Sequence, residues 1–292
     1  MNILTFDIEE WALAKVRGKG TKEVYDEYDA FLKQILDVLD DRGFKATFFC
    51  TGLMATDFPQ VVKLIQRRGH EIGCHSYRHT WTNKMTKAEA REDTRAAVDA
   101  LEQCMGTKVT SYRAPAFSIG ENNKWMFELL AENGIERDAS IFPAARDFGG
   151  FANFSKKEPC VIEYKGIKLK EFPICTTKVL GKEIAYSGGG YFRFFPLWFV
   201  KNRIESCDYS MCYFHIGDLL PEKGGVPSKA EFEAYYKKPG TLKNRYLRYF
   251  KKNVGKKGAF EKMMSLIQST DFINLGQAEK LIDWKKAGTV TL

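Results

Sequence analysis

The chain has 292 residues, of which 44% are hydrophobic and 28% charged, the balance of a folded globular protein able to bury a large core without disulfides or structural metals. The formal net charge of +8 suits attraction to an acidic glycan, a nucleotide-linked sugar or an anionic membrane surface, and nine of the Lys and Arg residues fall between 237 and 257. No base-reading motif accompanies that charge, so nucleic acid is not expected as a partner. No apolar run reaches the ~20 residues of a membrane span. The opening residues lack the basic and apolar regions of a secretory leader, which sets the expected location in the cytoplasm. The seven cysteines are odd in number and form no CxxC pair, so they are expected to be reduced core residues.

In chain order, residues 2–7 read as a strand. Residues 23–42 read as a helix with Tyr28, Phe31, Ile35 and Leu39 at helical spacing, closed by Gly43. A strand at 45–51, a helix at 58–68 and a short strand at 70–74 follow. Thr86, with Glu89 three residues later, forms a capping box that opens a helix running to about Met105. A strand at 108–112 and a helix at 121–133 complete a βαβα rhythm, which predicts a parallel sheet with outer helices. Residues 161–165 and 167–172 read as a hairpin turning at Gly166, and 209–215 as an apolar strand ending at His215. Residues 222–240 read as an exposed insertion rich in Lys, Gly and Pro. Helices are expected at 241–252 and 256–269, then a strand and helix within 272–283. The whole reads as one domain, 1–292, with its core in 1–220.

Four pieces carry chemistry. His75 and His79, in His75-Ser76-Tyr77-Arg78-His79, stand four residues apart just after a strand; a helical turn or a tight loop there puts both rings within reach of one divalent ion. Asp7 and Glu9 end the first strand, where one acid can ligate a metal and the other act as general base, with Glu10 as a competing ligand. Arg113, in Tyr112-Arg113-Ala114-Pro115-Ala116-Phe117, can hold a carboxylate, and a backbone N–H beside Pro115 can face an oxyanion. His215 ends an apolar strand, as a core histidine or a general acid.

These pieces, in this order, resemble the polysaccharide deacetylases of the NodB-homology group, carbohydrate esterase family 4. Thr5-Phe6-Asp7, the run His70-Glu71-Ile72-Gly73-Cys74 leading into His75 and His79, Arg113-Ala114-Pro115 and His215 match the family's motifs. Asp138-Ala139-Ser140-Ile141-Phe142-Pro143 and Gly188-Gly189-Gly190-Tyr191-Phe192-Arg193 are similar to stretches of a subgroup that works in bacterial exopolysaccharide and surface-glycan biosynthesis. The opening motif departs from the family's adjacent aspartates, which leaves the register of the acidic ligand open between Glu9 and Glu10. The resemblance implies an α/β fold, a deformed (β/α)7 barrel with extra C-terminal helices. It implies a divalent metal, zinc with cobalt or nickel as substitutes, on Glu9, His75 and His79; Asp7 as base, Arg113 as its holder and His215 as acid. Ala116, Phe117, Tyr191 and Asp138 are the expected substrate or oxyanion contacts.

The implied reaction removes the N-acetyl group of an amino sugar in a surface polysaccharide or its lipid- or nucleotide-linked precursor. Deformylation of a lipid-linked amino sugar and a catalytically inactive sugar-binding role are the rivals. Peripheral membrane association through Lys251, Lys252, Lys256 and Lys257 is a further expectation.

Overall fold

The computed structural model describes residues 1–292 apart from 147, 148, 180, 221–224 and 237. Its elements follow in order as β1 (Asn2–Ile8), α1 (Glu10–Val16), α2 (Lys22–Asp41), β2 (Thr47–Cys50), α3 (Gly52–Asp57), α4 (Pro59–Arg67), β3 (Glu71–Cys74), α5 (Lys87–Met105), β4 (Ser111–Tyr112), α6 (Met126–Glu132) and β5 (Arg137–Asp138). The second half contains β6 (Cys160–Tyr164), β7 (Ile167–Glu171), β8 (Thr176–Val179), β9 (Lys182–Ala185), α7 (Gly189–Phe194), α8 (Leu197–Glu205), β10 (Ser210–His215) and α9 (Ile216–Leu219). It closes with α10 (Lys229–Tyr236), α11 (Leu242–Asn253), α12 (Ala259–Ser269), α13 (Leu275–Leu281) and β11 (Thr289–Thr291).

Among the described residues nine strands form one sheet in the order β10-β1-β2-β3-β4-β5-β7-β6-β11, parallel throughout except for the β6–β7 hairpin. Strands buried on both faces need near-continuous apolar runs, and β2, Thr47-Phe48-Phe49-Cys50, is buried along its whole length. The chain therefore has the α/β architecture of a deformed barrel, although among the described residues the terminal strands β10 and β11 do not pair to close a ring. One apolar core runs from Ile3 and Leu4 through Phe6, Phe48 and Phe127 to Met263 and Leu275, drawing on both halves of the sequence.

The capping box at Thr86 and the helix it opens to Met105 match the expectation, and Gly106 ends that helix in the left-handed region. The hairpin at Gly166 is also as expected. Other boundaries moved for local reasons. The helix expected at 58–68 begins at Pro59, and α3 precedes it, capped by Thr51, which accepts from the Met54 amide. The helix expected at 121–133 covers only Met126–Glu132, after a 3₁₀ turn over Glu121–Asn123. Helix α1, directly after β1, and the β8–β9 hairpin were not anticipated. The expected exposed insertion at 222–240 contains α10; residues 222–224 and 237 of it lie outside the described residues. No helix of the described residues is long and apolar enough to cross a membrane.

Candidate metal and catalytic site

Parallel pairing in register brings the carboxyl ends of β1, β2, β3, β4 and β10 to one level. Asp7 is paired with His215 across β1 and β10, and Cys50 with Cys74 across β2 and β3. The ladder continues past the strands: the His75 amide donates to Cys50 O at 2.9 Å, and the Arg113 amide to Cys74 O at 2.9 Å. Residues far apart in sequence thus reach one rim because each follows a strand.

The His75–His79 segment is a loop, not a helical turn. Ser76 and His79 both adopt positive φ, 61° and 59°, and this bends the chain so that the two rings lie 5.2 Å apart. Glu9 Oε2 stands 2.5 Å from His79 Nε2 and 3.7 Å from His75 Nε2. Ligand atoms of Glu9, His75 and His79 all lie within 4.8 Å of one another. His75 Nδ1 lies 2.7 Å from Arg113 O, to which it donates, and this fixes the tautomer and leaves the Nε2 lone pair facing Glu9. That nitrogen is buried with no hydrogen-bond partner, and burial lowers the His75 pKa to about 4, so the ring is neutral. Two imidazole nitrogens and a carboxylate oxygen in a largely buried recess fit a divalent cation of the zinc type.

The structure separates the two competing glutamates. Glu10 turns away from the histidines: its Oε1 accepts from the Gly217 amide at 2.7 Å, and burial followed by the charge of Glu9 pushes its pKa up to about 7.

Asp7 and His215 lie beside the cluster, 3.9 Å from His75 and 4.0 Å from Glu9 respectively. Asp7 is 2% exposed. Burial opposes its ionisation, but Arg113 and the neighbouring imidazoles outweigh this and hold it below the ordinary aspartate value. Arg113 Nη1 donates to Asp7 Oδ1 at 2.8 Å and to Thr5 Oγ1 at 2.8 Å, and Nε donates to Ala139 O at 3.2 Å. The guanidinium lies 4.3 Å from the Phe49 ring centroid, which shields a fully buried cation with an aromatic face. His215 Nε2 is 3.4 Å from Asp7 Oδ2.

Asp218 was missed in the sequence, although it stands one turn beyond His215 at a spacing that lets the two side chains meet. Its Oδ2 is 3.2 Å from His215 Nδ1, and its other oxygen is held by Arg193. Burial disfavours a charged imidazole at His215, but Asp218, Asp7 and Glu9 override it and raise its pKa to about 10. Tyr213 was missed as well. Its ring packs edge-on to Phe117 at 5.0 Å and faces His215 at 6.5 Å. Only glycine fits opposite it, because a Cβ on Gly188 would fall 2.3 Å from Tyr213 O.

Ala116 and Phe117 follow Pro115 in the left-handed region, at φ 55° and 52°. Such strain in non-glycine residues costs about 1–3 kcal/mol each and concentrates at functional sites. Phe117 is buried and Ala116 partly exposed. Tyr191, partly exposed on α7, packs against the apolar core. Asp138 stands apart from the other expected contacts. It is fully buried, takes the Ser140 hydroxyl at 2.5 Å and adjoins buried Glu171, so no surface of it is open to a substrate. Burial raises its pKa to about 6.

Residues 3–137 match the family profile described as Polysaccharide deacetylase, and residues 139–280 match one described as Domain of unknown function (DUF3473). The N-terminal half is thus similar to the polysaccharide deacetylases. A peptidoglycan-N-acetylglucosamine deacetylase of Bacillus cereus is 37% identical over 127 residues, covering 41% of this chain and 46% of that protein. A chitooligosaccharide deacetylase of Sinorhizobium fredii is 30% identical over 104 residues, 34% of this chain and 48% of that protein. The chain thus spans less than half the length of each of these two relatives. A solved structure described as a polysaccharide deacetylase of Mycobacterium smegmatis superposes with a TM-score of 0.63 at 18% identity, over 100% of this chain and 92% of that one. The deacetylase fold therefore extends through both matched segments.

Proposed function

We propose that this chain is a metal-dependent hydrolase that removes the N-acetyl group of an amino sugar. The substrate we infer is a bacterial surface polysaccharide or its lipid- or nucleotide-linked precursor. One observation carries the reading: the two imidazoles and Glu9 converge at one rim, and Asp7 and His215 stand together beside them, 3.4 Å from each other. Glu9, His75 and His79 would hold the cation. A divalent cation bound there supplies Lewis acidity and makes water a stronger acid near neutral pH.

The remaining chemistry falls to the chain. Asp7, kept ionised by Arg113, is the base that takes a proton from the attacking water at its Oδ2. The strained turn at Ala116 presents backbone to the developing oxyanion, where one donor is worth about 3–4 kcal/mol in comparable sites. His215, kept protonated by Asp218, gives its Nε2 proton to the departing nitrogen as the C–N bond breaks. Tyr191, partly exposed, is the aromatic side chain open to a sugar ring, and buried Phe117 and Tyr213 pack edge-on to each other beside His215. Both matched segments act as one domain in this reading, because β10, from the second, lies against β1, from the first.

The test is metal analysis of the purified chain together with acetate release from a panel of N-acetylated amino sugars. Metal-loaded protein is expected to release acetate. Asp7→Asn should keep its metal and lose about 10²–10⁴ of the rate. Formate release from N-formyl sugars with no acetate release would favour the deformylase. Metal-loaded protein that binds the sugars but releases neither acid would overturn the enzyme reading.

A further inference from the structure

Helix α11 has an unusual surface. None of its twelve residues is buried, yet Leu242, Tyr246 and Phe250 recur at every fourth position with exposures of 65%, 59% and 66%, and Leu247 beside them is 48% exposed. The same helix contains five cations, Lys243, Arg245, Arg248, Lys251 and Lys252, and no acidic residue. Two further aromatic side chains, Phe194 on α7 and Trp198 on α8, are each 69% exposed. The elements are joined: Arg193, next to Phe194, donates to Lys251 O and Val254 O at the end of α11.

We propose that this face, the apolar stripe of α11 with Phe194 and Trp198, seats on an anionic phospholipid surface. An amphipathic helix with aromatic and leucine side chains on one side and only cations among its charged residues is matched to the boundary between headgroups and acyl chains. The charge selects the occupant. Lys and Glu are depleted from the centres of protein–protein interfaces, whereas lysines flanking an apolar stripe gain from negative headgroups. Lys243 and Lys251 are exposed beside the stripe. Lys256 is only 5% exposed and takes no part, which narrows the patch expected from the basic run of the sequence. The face is also connected to the candidate site, since Arg193 ion-pairs with Asp218 and Asp218 meets His215. Docking does not depend on the deacetylase reading and stands or falls without it.

The experiment is co-sedimentation of the full chain with vesicles of equimolar phosphatidylglycerol and phosphatidylcholine, and with vesicles of phosphatidylcholine alone. Binding is expected to the anionic vesicles and to weaken about tenfold or more without phosphatidylglycerol or in high salt. The pairs Tyr246→Ser with Phe250→Ser, and Lys243→Glu with Lys251→Glu, should each lower binding by a similar factor while circular dichroism and metal content stay unchanged. Absence of binding to anionic vesicles, or binding by both double variants as strong as that of the unaltered chain, would overturn the proposal. So would a concentration-dependent dimer in sedimentation velocity that Phe250→Ser dissolves, because the stripe would then be covered by a second copy of the chain.

Discussion

At the scale of single residues, the separation of Glu9 from Glu10 is the most directly testable feature. Two adjacent acids differ in what they face: Glu9 meets the histidines, and Glu10 meets the Gly217 amide. Glu9→Gln should therefore lower bound zinc at equilibrium by about 10-fold or more, as loss of a ligand does, whereas Glu10→Gln should leave metal content unchanged; elemental analysis after dialysis reads both. The pH dependence of turnover belongs here as well. His215 is raised to about 10 largely by Asp218, so the protonated acid persists well above neutrality. Asp218→Asn removes that support and lets the pKa fall toward 6.5, so the alkaline limb of kcat/KM should move down by one or more pH units while the acid limb stays where it is. His70 makes the opposite case. Burial lowers its pKa to about 4 while Nδ1 accepts from the Ala46 amide. The unfolded chain then binds the extra proton between pH 6.5 and 4, so this contribution is complete above about pH 6.5 and lost as pH falls toward 4, up to about 3 kcal/mol. His70→Asn, with an oxygen able to take the same amide, should flatten that part of the stability–pH curve measured by urea unfolding.

At the scale of elements, the sequence was most legible where a local rule acts alone. The capping box at Thr86 and the glycine turn of the β6–β7 hairpin depend on neighbours within a few residues, and both were read correctly. Helix α1 was missed because its pattern is short and hidden behind the acids of the strand end, with Glu9 itself as the N-terminal boundary. The pair His75 and His79 was legible as spacing, but not its conformation. Nothing in the spacing specifies positive φ at Ser76 and His79; the loop is dictated by amides of Gly52 and Leu53, which donate to Ser76 O and Tyr77 O at 2.9 and 3.0 Å. Asp218 and Tyr213 escaped notice because their importance depends on contacts with residues of other elements. The turn after β4 offers a clean test of stored strain. Ala116→Gly relieves a left-handed alanine and should raise stability by about 1 kcal/mol in denaturant unfolding, a gain set partly against the greater freedom of glycine in the unfolded chain.

For the molecule as a whole, Arg113 ties the sheet together behind the site. Its guanidinium reaches Asp7 and Thr5 on β1, Ala139 O after β5 and Met211 Sδ on β10. Removing it leaves Asp7 as an uncompensated buried charge, so Arg113→Met should cost about 3–5 kcal/mol and lower the melting temperature by roughly 5–15 °C in a thermal scan. The position of β1 inside the sheet has another consequence. Its partners are β2, from its own half, and β10, which arrives about two hundred residues later. While the chain is being synthesised, the first half can assemble Asp7, Glu9, His75, His79 and Arg113, but one rim of β1 stays without its neighbour and offers bare amides and carbonyls to any passing strand. Expressed alone, residues 1–137 would accordingly be a sticky fragment holding most of the polar cluster and lacking the histidine that completes it.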